Sequence, residues 1–457
     1  MAVFAIVLSL CLLMYLAYRG ITVLLLAPIL ALMAVALGGD LPLLATYTEV
    51  FMKSFGSFAK SFFPLFLLGA VFGRIMADSG SAKAISLAIT RWLGAKHAIL
   101  AIVAACAALT YGGVSLFVVA FAVYPIAVQL FRDADIPKRL IPGALALGSF
   151  TFTMTALPGT PQIQNSIPMP YFGTDTFAAP TIGIIASLMM AGLGYGWLSW
   201  RARNARRNSE GFGTHTESAK ADETVTACPL VLALLPIVIV IGLNYYLTRV
   251  YYPAADTAYL ASEPYKTSVE KVSGLWSLII ALTAAIIVAF AIHFRRLRTP
   301  INSLNEGAYG SLLAIVNTAS EVGYGSVIAS LSGFTIIKNG ILQLSSNPLV
   351  AESISITTLA GITGSASGGL SIALGALGPT YLEMAQVANI SPEVMHRIAC
   401  IACGGLDSLP HNGAVITLLA ICGLTHKQSY LDIGMTTVVI PLLTLAVSIA
   451  LAMAGVV

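Results

Sequence analysis

The sequence predicts an all-α polytopic membrane protein made of two inverted-topology repeats, each holding a re-entrant hairpin and a broken helix. Its 457 residues are 57% hydrophobic and only 10% charged, with a mean hydropathy of +0.87. Soluble domains run at roughly 45–50% apolar and about 25% charged. Apolar runs of span length recur along the chain, and two short Gly- or Pro-bearing motifs occur twice in the same order. This composition excludes a water-soluble enzyme, a disordered chain, a coiled coil and a disulfide-rich secreted fold.

A span needs about 20 apolar residues. Runs of that quality stand near 3–18, 21–38, 61–77, 180–200, 228–249, 273–293, 308–332 and 432–456. The first lacks a basic leader and a cleavage site, so it is expected to stay as a span. Between these runs, 97–131 and 349–390 are apolar stretches interrupted by Gly and Ser, and 140–168 and 394–424 are interrupted again. Backbone that leaves the helix at membrane depth must face protein or water, because lipid cannot satisfy its polar groups.

The net charge of +4 lies in loops and bears on orientation, not on nucleic acid. Arg201, Arg203, Arg206 and Arg207 mark the linker 201–227 as cytoplasmic, and Arg295, Arg296 and Arg298 mark 294–307 likewise. The mixed loop 250–272 is expected outside, with Asp40 and Glu49, while Arg19 is expected inside; the N-terminus then faces outward. Arg91 and Lys96 before 97–131, and Arg132, Lys138 and Arg139 after it, give that stretch two cytoplasmic ends and make it a re-entrant hairpin. Glu352 and Glu383 flank 349–390, as befits a hairpin entering from outside. Arg397, at the start of the next helix, is discordant with that orientation. Arg74, beside Asp78, reads as an interfacial anchor. Cys400 and Cys403 sit in an apolar helix with no second pair or His cluster at ligand spacing, so they read as packing residues, and no metal is predicted.

Gly112-Gly113-Val114-Ser115 recurs as Gly368-Gly369-Leu370-Ser371, 256 positions on, and Leu157-Pro158-Gly159-Thr160 pairs with Leu409-Pro410-His411-Asn412, 252 positions on. Pro137 and Pro392 pair between them, 255 positions apart. Inverted repeats with broken helices point to a secondary transporter whose site lies near the midplane. Ser115, Ser371, Thr160 and Asn412 follow the breaks and are helix-capping types. Exposed N–H groups at such helix starts form an anion site. Asp407 and His411 lie in apolar context, where an ionisable residue marks an ion or proton path; Glu321 is a third candidate. Thr151, Thr153, Thr155, Gln162, Gln164 and Asn165 cluster at the first break, and Thr363, Ser365 and Ser367 at the second hairpin tip, which is the polarity of a wet cavity.

Leu109-Thr-Tyr-Gly-Gly-Val-Ser-Leu-Phe-Val-Val, Thr155-Ala-Leu-Pro-Gly-Thr-Pro-Gln and Asp407-Ser-Leu-Pro-His-Asn-Gly together resemble the gluconate permease family, most closely its D-beta-hydroxybutyrate permease branch, over nearly the whole chain. The resemblance implies membership of the ion transporter superfamily and a place in the bacterial inner membrane. It also implies proton-driven symport of a small hydroxy-carboxylate anion, with 3-hydroxybutyrate first and gluconate-like acids next. Such relatives are homodimers that move a transport domain against a scaffold like an elevator. Carried over, 1–60 and 228–307 would be scaffold, and 61–200 and 308–457 transport domain. The substrate would lie among Gly112, Gly113, Ser115, Thr155, Gly159, Thr160 and Gln162 from one half. Gly368, Gly369, Ser371, Ser408, His411 and Asn412 would face them from the other, with Asp407, His411 and Glu321 carrying the proton. No cofactor is implied. Sodium-coupled relatives carry Ser-Asn-Thr at the hairpin tips; this chain does not, which favours protons, with sodium as the alternative.

Two other classes are weaker. Gly404-Gly405-Leu406-Asp407 has the look of an intramembrane aspartyl peptidase motif, but no second partnered aspartate stands in another span. Ser408 with His411 lacks a third member for serine chemistry. A channel also accommodates inverted repeats.

Overall fold

The computed structural model describes residues 2–19, 21–39, 41–213, 226–344 and 347–457. Asp40 and residues 214–225 of the 201–227 linker lie outside the described residues. All regular structure among those residues is helical, and the helices follow one series twice. An opening pair, α1 (Ala2–Tyr18) and α2 (Val23–Gly38), precedes a long helix α3 (Leu43–Asp78). The 13-residue α4 (Ser81–Leu93) follows, then α5 (Ala98–Tyr111) and α6 (Leu116–Asp133), which pack side by side. Next comes an interrupted run: α7 (Ile141–Ser149), α8 (Phe152–Thr155), α9 (Ile163–Ser166) and α10 (Met169–Phe172). The first series closes with α11 (Pro180–Arg207).

The second series has the same order. The pair α12 (Leu230–Ala254) and α13 (Val269–His293) leads to α14 (Pro300–Ser330) and the 13-residue α15 (Ser332–Leu344). Then α16 (Pro348–Thr363) packs on α17 (Ala366–Val387), α18 (Pro392–Cys403) is separated from α19 (Gly413–Cys422) by a break, and α20 (His426–Met453) ends the chain.

Among the described residues six helices, α3, α11, α12, α13, α14 and α20, are long and apolar enough to cross a bilayer. Each coincides with a run read from the sequence, but α3, α14 and α20 begin earlier than their apolar cores. Charged side chains on these helices find protein partners. Arg74 of α3 pairs with Asp78 at 2.8 Å and with Glu306 of α14 at 2.6 Å. Asp432 of α20 is wholly buried against Arg201. α1 and α2, at 17 and 16 residues, stand at the short limit for a span. Between α4 and Ala95–Tyr111 the chain bends by 99° at Gly94, whose φ of +68° suits glycine. Leu188, Val231 and Ile287 are 63–78% exposed on α11, α12 and α13, the surface expected of lipid-facing helices.

The two series are offset by 250 positions, Ala98 to Pro348, Leu116 to Ala366 and Ile163 to Gly413. This corrects the register read from the motifs. Gly112-Gly113 does form the α5–α6 turn, with Gly113 at φ +93°. The α16–α17 turn, however, is at Gly364, φ +63°, and Ser365, whose hydroxyl caps α17 by accepting from the Gly368 N–H at 3.0 Å. Gly368, Gly369 and Ser371 therefore lie inside α17, and Ser371 starts no arm. Close packing explains the glycines: a Cβ on Gly368 would overlap the Glu321 carboxylate, and one on Gly369 would overlap the Ala360 backbone across the hairpin. Pro142 at the head of α7, not Pro137, is the counterpart of Pro392 at the head of α18.

Gly369→Ala is expected to destabilise the purified protein by about 1–3 kcal/mol, the usual range for overpacking. Thermal unfolding in detergent checks this. Gly375→Ala is the control, since the nearest atom to its added Cβ is Tyr171 Oη at 3.7 Å, and its midpoint should stay close to that of the native chain.

Candidate functional site

The second break runs from Gly404 to Asn412, where Pro410 cannot continue a helix. Asn412 organises it. Its Oδ1 accepts from the N–H groups of Ala414 and Val415 at 2.6 and 3.0 Å and so caps α19. Its Nδ2 donates to the carbonyls of Gly364 and Asp407, both at 2.7 Å. One side chain thus ties the hairpin tip to the break. His411 lies against Gly364 and bonds the Gly361 backbone, leaving its buried Nε2 without a partner among the described residues. Asp407 is 5% exposed and accepts from the Ser408 hydroxyl at 3.1 Å. It does not cap α19. Tyr430 of α20 donates to the Ser408 carbonyl at 3.0 Å and closes that side.

Glu321 is the 22nd of the 31 residues of α14 and is buried under the start of α17. Ser365 at the hairpin tip stands beside its carboxylate at Gly368, and the buried Oε2 has no partner among the described residues. Hairpin tip, break and Glu321 therefore form one polar cluster in the second half.

The first half repeats the tip-to-break contact with different chemistry. Tyr111 at the end of α5 donates to the Pro158 carbonyl at 2.8 Å, and Gln162 Nε2 donates to the Thr110 carbonyl at 2.7 Å. Gly113 lies against Pro161, where a Cβ would stand 3.2 Å from its ring. Gly159, at φ +81°, donates its N–H to the Thr176 carbonyl at 2.8 Å. Thr160 does not start the next arm: α9 begins at Ile163, with Gln162 in the cap position, because Pro161 follows Thr160 and the loop needs two more residues to turn. Thr160 is instead fully buried, its hydroxyl without a partner among the described residues. Ser115 stands at the head of α6, but its side chain caps nothing. The two breaks approach each other at Thr155, whose Cγ2 would be 3.1 Å from a Cβ on Gly404.

Residues outside the sequence-derived set hold these parts together. Arg397 of α18 is wholly buried. It donates to the Ala178 carbonyl at 3.0 and 2.8 Å, to the Thr176 carbonyl at 3.1 Å and to Asn165 Oδ1 at 2.9 Å. It is no loop charge, so it carries no orientation signal, which removes the discord noted above. His396 joins the same cluster, with Thr174 at 2.6 Å and Asn165 at 3.3 Å. Glu352, read as a hairpin flank, is fully buried in α16, and neither carboxyl oxygen has a partner among the described residues. Its position inside an apolar segment was the available signal.

Asn412→Ala should remove the α19 cap and the tip-to-break tie, lowering stability by about 0.5–2 kcal/mol and transport with it. Asn412→Asp keeps the cap acceptor but loses both donations. It should melt closer to the native chain while transporting as poorly as the alanine variant, a split read by parallel unfolding and uptake assays.

A family model described as GntP family permease matches residues 1–454. The Bacillus subtilis protein named uncharacterized transporter YxjC is 45% identical over 455 residues, covering 96% of each chain. An uncharacterized transporter of Haemophilus influenzae is 32% identical over 127 residues, 28% of this chain and 27% of that one. Among solved structures, the Alcanivorax borkumensis YdaH transporter superposes with a TM-score of 0.56 over 90% of this chain and 88% of that one. At 16% sequence identity, that likeness concerns the fold alone.

Proposed function

The chain belongs to the GntP permease family and is a multi-pass membrane transporter, not an enzyme; from that premise we propose that it takes up a small hydroxy-carboxylate anion by proton symport. 3-Hydroxybutyrate is the first candidate and gluconate-like acids the next. The observation that carries this reading is the meeting of the α16–α17 tip and the α18–α19 break around Asn412, with buried Asp407 and Ser408 beside them. The positive end of the α19 dipole favours a carboxylate, while the Ser408 hydroxyl and the Nε2 of His411, unpartnered among the described residues, suit hydroxyls. An anion entering beside an ionised Asp407 would meet a like charge in a low-dielectric site, which is strongly unfavourable. A proton arriving with the substrate removes that repulsion, and this is the physical reason for coupling.

In this reading the two series are inverted-topology repeats whose helix pairs α5–α6 and α16–α17 re-enter the membrane from opposite faces. The N-terminus is outside and the linker 201–227 inside a bacterial inner membrane. Residues 1–60 and 228–307 form a dimerising scaffold, and 61–200 and 308–457 an elevator-like transport domain. Residues 60/61 and 307/308 fall within α3 and α14, so these helices would be the arms that join the two parts.

The test is transport by purified protein in liposomes. Saturable counterflow of 3-hydroxybutyrate, with accumulation driven by an imposed pH gradient, is expected. Accumulation that ignores pH but follows a sodium gradient would replace the proton with the alternative ion. Flux without counterflow would replace the carrier with a channel.

A further inference from the structure

The apolar span α12 buries an asparagine, Asn244, at 1% exposure. A polar side chain in a span is kept at a cost and answers to a partner. That partner is Thr176, in the bend between α10 and α11: Asn244 Nδ2 donates to its hydroxyl at 3.0 Å. The neighbours of both residues meet as well. Arg249 donates to Asp175 Oδ1 at 3.3 Å, and Tyr245 meets the Phe177 ring edge-on at 5.4 Å. One side of α12 thus holds three consecutive residues, Asp175, Thr176 and Phe177.

Those three residues are bonded more firmly on their other side. The Thr176 carbonyl accepts from the Gly159 N–H at 2.8 Å, from Asn165 Nδ2 at 2.9 Å and from Arg397 at 3.1 Å. The Phe177 ring lies against Gly159, where a Cβ would overlap it. Residues 175–177 therefore belong with the first break and α18. Their link to α12 is weaker in kind. Asn244 Oδ1 has no partner among the described residues, so the amide holds Thr176 by one neutral bond, and interhelical bonds of that sort are weak in membranes. The Arg249 and Asp175 side chains are 37% and 17% exposed, and an ion pair open to water contributes little.

The hairpin tip of the same half rests on the same helix pair. Gly112 faces Ile237 of α12, where a Cβ would stand 2.7 Å from its side chain, and Gly113 faces Leu282 of α13 at 3.8 Å. Tip and break are thus both seated on α12 and α13. A firm bond network on one side of residues 175–177 and a weak polar link on the other locate the plane along which two parts can separate. On the reading of 228–307 as scaffold and 61–200 as the part that moves, we infer that α12 is the docking surface of the first break, and that the Asn244–Thr176 bond opens and re-forms in each transport cycle. Asn244 is then a positioning residue. It acts on the break through Thr176 and biases the carrier toward the docked state.

The test is a reversible cross-link. In a Cys11→Ser background, which removes the exposed cysteine, Asn244→Cys with Thr176→Cys should form a disulfide under copper phenanthroline in proteoliposomes. Counterflow of 3-hydroxybutyrate should then fall to background and return with dithiothreitol. Absence of the cross-link would overturn the docking, and a cross-linked carrier with native counterflow would overturn the opening. Asn244→Leu, which suits an apolar span, needs no oxidation. The ratio of half-saturating concentrations measured from the two membrane faces should shift about three- to fifteen-fold, the worth of one interhelical hydrogen bond, because apparent affinity on each face scales with the population of the state open to it. An equal change on both faces would make Asn244 a structural residue and overturn its positioning role. Native protein without counterflow would instead remove the transport reading itself.

Discussion

Asp407→Asn is expected to abolish pH-driven accumulation while leaving exchange in place. A gradient of one pH unit is worth about 1.4 kcal/mol per proton and so drives roughly tenfold accumulation in a one-proton symport. The amide keeps the shape of the carboxylate and can still accept from the Ser408 hydroxyl, which stands 3.1 Å from Oδ1 in the native chain. It cannot gain or lose a proton. Accumulation should therefore fall to the level of simple equilibration, whereas counterflow, which needs no net proton movement, should continue. The readout is labelled 3-hydroxybutyrate in liposomes with and without the gradient. Equal loss of both activities would make Asp407 a structural residue of the break; full accumulation would move the proton to another group, with Glu321 and Glu352 next in line.

Arg397→Met should produce the largest loss of stability. The guanidinium satisfies the carbonyls of Ala178 and Thr176 and the side chain of Asn165 from inside α18, with no exposure to solvent. Methionine fills much of the volume but leaves those acceptors bare. Removing one side of a buried charged network costs about 3–5 kcal/mol, a large part of a typical folding free energy of about 5–15 kcal/mol. Because the Thr176 carbonyl also receives the Gly159 N–H, the first break should loosen as well, and transport should fall with stability. Arg397→Lys, a point charge without the planar fork, should lie between the two. The unfolding midpoint in detergent checks the order; a methionine variant that melts like the native chain would show that these carbonyls find other donors.

The spans were legible because lipid imposes a length and polarity rule that a single sequence displays. The breaks at 157–162 and 404–412 were legible through Pro158, Pro161 and Pro410, which remove the backbone donor a helix needs. The hairpin turns were half legible. Gly112-Gly113 turns the chain, but the same dipeptide at 368–369 stays helical, because its missing Cβ atoms serve a crossing with Ala360 and a contact with Glu321. Nothing local separates those two uses of glycine. The network around Arg397 was not legible either. Its partner Asn165 is 232 positions away, and an arginine in an apolar segment looks the same in sequence whether it marks a membrane face or a buried brace.

The buried acids Glu321, Glu352 and Asp407 and the buried Arg397 all fall in the second series. At the 250-position offset, Glu321, Glu352, Arg397 and Asp407 are matched in the first series by Val71, Ile102, Leu147 and Leu157. These buried acids and the arginine brace thus stand in the second series, while the first keeps the geometry of tip and break with neutral side chains such as Tyr111 and Gln162.

The most direct measurement is substrate protection at the hairpin tip. In a Cys11→Ser background, which removes the exposed cysteine among the six, Ser367→Cys places a half-buried thiol on the tip beside the break. Its rate of reaction with a maleimide in proteoliposomes should fall saturably as 3-hydroxybutyrate is added, with the concentration dependence of counterflow. A labelling rate unchanged at substrate concentrations that saturate counterflow would mean that tip and break do not enclose the cargo.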